Sequence, residues 1–279
     1  MVSPGLEVRR QQLEWAKQRN IVVDKSGYTQ DLRSNLFQPL TPCAEAEFKD
    51  GDGSELGKPG ERGKMQALHS SSALACNVFD YWRGRDTTPL AKALEIEAPI
   101  CSISFERKYP TGLRGKAPNL DVVLLPTAGP TVAIESKFLE PYSSSGKKSR
   151  FKGKYFPKGS GLWKDAGFPQ CQSAAEAIFA CENKNKRLHA EQLLKHILGL
   201  SRTTSPWSLL YLWYDPAECT DQTHSDEIEN FARSILADHV GFRAMSYQYL
   251  FSRLAAAANQ DDLLYVEYLR ERYFSRIAV

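Results

Sequence analysis

Apolar and β-branched residues gather into three short runs in the middle of the chain, Ile100–Lys108, Asn119–Leu125 and Thr131–Phe138. Runs of this length and make-up predict strands. Two more strands are expected at Trp207–Tyr214, where Leu209–Tyr214 is the longest apolar run, and at Phe242–Tyr247. Helical spacing governs other stretches. Met65, Leu68, Ala73, Ala75, Val78, Phe79 and Trp82 suit a helix over 64–82, and residues 6–19 read as a short polar helix. Residues 41–64 carry Gly51, Gly53, Gly57, Pro59, Gly60 and Gly63 and are expected to be mostly loop. Helical sequence resumes from about Gln170 to Leu200, and Thr223-x-x-Asp226 resembles a capping box opening a helix to about His239. Two C-terminal helices complete the pattern. The expected fold is α/β, a mixed central β-sheet flanked by helices, with extra N- and C-terminal helices. Without internal repeats or a long linker, the 279 residues read as one domain. Its core is expected over about 64–215, with extensions over 1–63 and 216–279.

Composition narrows the class. Apolar residues make up 42% and charged residues 25%, which predicts a packed core. No run approaches the roughly 18 apolar residues of a membrane span, and the N-terminal sequence lacks a secretory apolar segment. A soluble, cytoplasmic protein without membrane association is expected. The cysteines at 43, 76, 101, 171, 181 and 219 form no C-x-x-C pair, which argues against zinc ribbons and iron–sulfur motifs. Gly57–Lys64 has the wrong glycine spacing for a P-loop, and neither G-x-S-x-G nor H-E-x-x-H occurs. The net charge of +3 says little by itself. Its distribution says more: residues 141–164 hold seven Lys/Arg and no acid. Lys147, Lys148, Arg150, Lys152, Lys154, Lys158 and Lys164 interleave there with Tyr142, Phe151, Tyr155, Phe156 and Trp163. Such a mixture suits nucleic acid, the cations for phosphates and the aromatics for unpaired bases.

The chemistry-bearing segment is Asn119–Phe138. Pro126-Thr-Ala-Gly-Pro130 separates two strand runs and predicts a hairpin. If the turn centres on Ala128, Leu124 faces Val132 and Asp121 faces Glu135, with Lys137 two residues further on the same face. Opposed carboxylates destabilise a sheet, so a bridging cation accounts for them. Oxygen donors with open positions suit Mg²⁺. The chain has four E-x-K triplets, at Glu47/Lys49, Glu106/Lys108, Glu135/Lys137 and Glu182/Lys184. Only the third joins an apolar strand to an aspartate in register; no opposed acid is evident for Glu106.

Pro118-Asn119-Leu120-Asp121 followed by Glu135-Ser136-Lys137 resembles the PD-(D/E)xK nuclease signature, without the literal P-D dipeptide. The ALHSSSAL-type helix (67–74), the QLLKHILGL helix (192–200) and the YLWYD strand (211–215) add to a likeness to prokaryotic restriction-endonuclease-like proteins. The resemblance implies a restriction-endonuclease-like core in a Mg²⁺-dependent endonuclease, with Mn²⁺ as a substitute, that cuts DNA to 5′-phosphate ends. It implies that Asp121, Glu135 and the Ser136 carbonyl hold the metal and that Lys137 acts on the attacking water. Gln192 would stand near that water, in a Gln192-x-x-x-His196 element similar to the family's Q-x-x-x-Y. On helical geometry His189, Gln192 and His196 share one sector beside the apolar stripe. Glu55 and Glu61 are the acids just upstream of the first core helix, and both are expected to point outward from a loop. Double-strand cutting would call for two sites and hence a homodimer. The alternative is a catalytically silent nucleic-acid-binding module of the same fold.

Overall fold

The computed structural model describes residues 4–58, 60–143, 151–180, 185–216 and 222–275. Ten α-helices and five strands are found there. Helices α1 (Pro4–Gln18), α2 (Pro42–Asp50), α3 (Ser71–Phe79) and α4 (Thr88–Ala93) precede β1 (Ile100–Lys108), β2 (Asn119–Pro126) and β3 (Thr131–Lys137). Then come α5 (Leu162–Asp165), α6 (Pro169–Phe179), α7 (Ala190–Leu200), β4 (Trp207–Trp213), α8 (Thr223–Ser234), β5 (Phe242–Ser246), α9 (Tyr247–Ala257) and α10 (Leu263–Tyr273). The sheet order is β1-β2-β3-β4-β5. The first three strands meander antiparallel, while β3, β4 and β5 run parallel through helical crossovers. This is the expected mixed α/β sheet. No helix among the described residues is long and apolar enough to cross a membrane.

Strand alternation splits the core in two. Val122, Leu124, Val132, Ile134, Leu210, Leu212 and Met245 face one layer with α3, α4, α9 and α10. Val123, Ala133, Leu209 and Tyr211 face the other, with α6, α7 and α8. Both faces of the parallel strands are therefore covered, as their continuous apolar runs require.

Several elements differ from the pattern-based expectation. The 64–82 helix is shorter, because Ser70 caps α3 by accepting the Ala73 N–H, and 3₁₀ turns flank it. Within 41–64 the structure has a nine-residue helix, α2, which Thr41 caps from just ahead of Pro42. The 170–200 stretch is two helices rather than one. Thr223 is itself helical, and Gln222 precedes it without a side-chain cap, so the expected capping box does not form.

Candidate active site

The site grows from strand register. The β2–β3 ladder pairs Leu124 with Val132 and Val122 with Ile134, a hairpin centred on Ala128. The next position on each strand holds Asp121 and Glu135, just past the last paired residues. By alternation both fall on the face covered by α6, α7 and α8. On the far side of β2, Phe105 pairs with Val122 and Arg107 with Leu120, which leaves Glu106 opposite Asp121. Glu135 pairs with Tyr211 of β4, and Tyr211 with Ala244 of β5. One transverse row thus reads Glu106, Asp121, Glu135, Tyr211, Ala244. It lies near the carboxyl ends of the parallel strands, where open α/β sheets place their ligands.

Asp121 Oδ2 accepts the Ser136 backbone N–H at 2.6 Å. The Lys137 ammonium donates to Glu135 Oε1 and, at 3.2 Å, to Gln192 Oε1. Helix α7 therefore delivers Gln192 to the E-x-K strand, and one turn later His196. His196 Nε2 stands 2.7 Å from Glu135 Oε2, both side chains being 1% exposed. The approach is not aligned as a hydrogen bond, and Glu135 Oε2 and both His196 ring nitrogens have no hydrogen-bond partner. On the opposite face of β3, Ser136 Oγ meets the Tyr247 hydroxyl at 2.6 Å and moors the strand to α9.

These contacts set the charges. Burial, and then the Glu135 carboxylate beside it, push the Asp121 carboxyl well above its ordinary range. Burial alone would raise Glu135 too, but the Lys137 and His196 charges hold it down at about 2. Burial would strip Lys137 of its proton, yet Glu135 and Asp121 keep its pKa above the usual lysine value. Lys137 pairs directly with Glu135, whereas among the described residues Asp121 makes no such pair, and the Lys137 charge only partly offsets its burial.

The structure brings Asp121, Glu135, Ser136, Lys137 and Gln192 together. It also brings in Glu106, which the sequence pattern passed over. Glu106 takes a left-handed backbone (φ 51°) inside β1, conformational strain that a bulky residue rarely tolerates. Asn119 donates to its carboxylate at 3.0 Å, and Gly51 at the end of α2 leaves it room, since a Cβ there would stand 3.1 Å from Glu106 Cγ. Burial raises its pKa, and the charges of Glu55 and Glu135 add to the effect. The available signal was register: the ten-residue connection Tyr109–Pro118 hides that Glu106 is Asp121's opposite number. Glu61 is exposed as expected, whereas Glu55 turns inward, with its side chain 12% exposed and 3.6 Å from the Lys64 ammonium. His189 lies just ahead of α7 at its N-cap, where its carbonyl accepts the Gln192 N–H at 2.9 Å.

Of the basic stretch, Lys147, Lys148 and Arg150 lie outside the described residues, while Lys152, Lys154 and Lys158 are exposed. The aromatics correct an expectation. Phe151, Tyr155 and Trp163 are buried in the α6–α7–α8 layer, where they cannot stack on bases.

The residues fit a hard divalent cation. Asp121 is buried and makes no ion pair among the described residues, Glu135 Oε2 is a buried oxygen without a hydrogen bond, and both are carboxylate donors of the type Mg²⁺ prefers. Among the described residues no group of three or more His, Cys, Asp or Glu side chains already converges to hold a metal. Two carboxylates with a backbone oxygen and waters are the set available.

A family model described as Restriction Endonuclease associating with ARP matches residues 9–274, nearly the whole chain. No curated protein and no solved structure matches it.

Proposed function

The chain belongs to the family of restriction endonucleases associating with ARP, and from that membership we propose that it is a Mg²⁺-dependent endonuclease of the PD-(D/E)xK type. Its substrate is DNA, its reaction phosphodiester hydrolysis leaving 5′-phosphate ends, and its role restriction or defence in the cytoplasm. The observation that carries this reading is the contact of Lys137 with both Glu135 and Gln192, beside Asp121, on adjoining strands and one helix.

Asp121 and Glu135 would hold the cation, with the Ser136 carbonyl as a third donor. A bound Mg²⁺ lowers the pKa of its water and neutralises phosphate oxygens. Lys137, kept protonated by its carboxylate neighbours, places positive charge where the phosphorane-like transition state gathers negative charge. Gln192 aims that ammonium from α7. Glu106 adds a third carboxylate on the far side of Asp121, within reach of its field.

The test is cleavage of supercoiled plasmid and of single-stranded DNA with Mg²⁺, Mn²⁺ or EDTA, with Asp121→Ala and Lys137→Ala beside wild type. Divalent-dependent cutting that falls by on the order of 10²-fold or more in both variants is the expected result. DNA binding without cutting, unchanged by either substitution, would instead identify a silent binding module of the same fold.

A further inference from the structure

Helix α7 turns two polar side chains toward the E-x-K strand, Gln192 and, four residues on, His196. Residues four apart stand one above the other on a helix, and residues two apart share a face of a strand. The two elements therefore meet as two pairs: Gln192 faces Lys137, and His196 faces Glu135. The glutamate's oxygens are used unequally. Oε1 takes the Lys137 ammonium, whereas Oε2 makes no hydrogen bond. A buried polar group ordinarily has a hydrogen-bond partner. His196 is fully buried, yet neither ring nitrogen has one, so no described neighbour fixes which of the two carries the hydrogen.

We propose that His196 Nε2 is a further ligand of the divalent cation that Asp121 and Glu135 hold, and that this nitrogen biases the site toward Mn²⁺ over Mg²⁺. His196 in this role rests on the nuclease reading and the cation it calls for. With Oε1 engaged by Lys137, an ion on Glu135 bonds to Oε2. His196 Nε2 stands 2.7 Å from that oxygen. Neighbouring ligands of an octahedral ion lie roughly 3 Å apart when both bonds are about 2.1 Å, so the pair already has close to that spacing. A hydrogen bond wants its proton on the line between the two atoms, whereas an ion bonded to both lies to one side of it. The misaligned approach of His196 to Glu135 suits the ion. With no ion bound, a proton on the ring serves the Glu135 charge; an ion takes its place, because imidazole binds metals through a deprotonated nitrogen. Mg²⁺ favours oxygen donors, and an imidazole ligand adds affinity for transition ions.

The experiment loads the metal-free protein with Mn²⁺ and reads it by pulsed electron paramagnetic resonance, which detects the nitrogen nucleus of an imidazole bonded to the ion. Wild type, His196→Gln and Asp121→Asn are compared, each is melted thermally, and Mn²⁺ and Mg²⁺ affinities are measured by titration. The expected result is an imidazole nitrogen signal in wild type that disappears in His196→Gln. Mn²⁺ binding should weaken there by on the order of 10-fold or more, and Mg²⁺ binding much less. The wild-type spectrum carries the test even where His196→Gln melts too low to be loaded. Bound Mn²⁺ without a nitrogen signal, or a signal that persists in His196→Gln, would overturn the ligand and leave the nuclease reading intact. A Mn²⁺ affinity that Asp121→Asn leaves unchanged would overturn it too, by giving His196 an ion that Asp121 does not hold. No binding of either ion by wild type would take down the cation of the nuclease reading and His196 with it.

Discussion

At the scale of single residues, the site is defined by unequal treatment of two carboxylates. Glu135 has Lys137 and His196; Asp121 has a single backbone N–H and an acid on either side. Asp121→Asn should therefore cost the metal-free protein nothing, or stabilise it, because the amide needs no counter-charge. The same substitution should abolish the rise in melting temperature that Mg²⁺ gives wild type, since only a ligand of the folded state raises stability. A Mg²⁺ shift preserved in Asp121→Asn, read by differential scanning fluorimetry, would remove Asp121 from the cation site. His224 makes a separate prediction. Its ring nitrogens meet the hydroxyls of Tyr211 at 3.0 Å and Tyr142 at 3.4 Å, and burial, reinforced by Arg187, lowers its pKa from 6.5 to about 4. The unfolded chain takes up this proton first as pH falls. The contribution to stability is thus complete above about 6.5 and lost progressively down to about 4, by on the order of 3 kcal/mol. Urea unfolding across that range should be visibly flatter in His224→Gln. An unchanged slope would mean that His224 is protonated in the fold.

Elements are positioned by acids borrowed from elsewhere. Glu227 on α8 accepts three successive backbone N–H groups, those of Lys186 at 2.6 Å, Arg187 at 2.9 Å and Leu188 at 2.8 Å. That turn feeds α7, and with it Gln192 and His196. Glu227→Gln should cost about 1–3 kcal/mol and speed amide exchange at 186–188, because charge-assisted bonds become weaker or unmade. Exchange unchanged at those amides would show that the turn holds itself. What could be read at this scale from sequence followed from local patterning. The β2–β3 hairpin was legible because apolar alternation continued up to a Pro–Gly turn on both sides, which fixed register and put Asp121 opposite Glu135. Helix α2 was missed because glycines dominate its surroundings, although Thr41-Pro42 is a start signal in its own right. The Thr223 cap failed since the helix begins one residue earlier. Glu106 escaped because a ten-residue connection carries no register information, and because a left-handed residue within a strand has no sequence signature when it is not glycine.

For the molecule as a whole, the first and last described helices are tied together. Arg272 on α10 is 2% exposed, donates to the Asn35 carbonyl at 2.7 Å and to Gln12 of α1 at 3.3 Å, and lies 4.4 Å over Trp15. Gln12 returns a bond to the Arg272 carbonyl at 2.7 Å. Arg272→Met should leave the chain folded but lower unfolding stability by about 2–4 kcal/mol, because Asn35 and Gln12 lose buried partners. Chemical denaturation measures this, and a loss under 0.5 kcal/mol, the range of ordinary surface substitutions, would rule out the clasp. The transverse row has a consequence at the same scale. Each strand supplies one disc to it, as in a combination lock: Glu106, Asp121, Glu135, Tyr211 and Ala244. Turning any disc by one residue reverses which face its side chains address. Chain length between strands is thus constrained by alignment more than by reach, and a lone deletion in the 127–130 turn would scramble the setting even in a sheet that still closed.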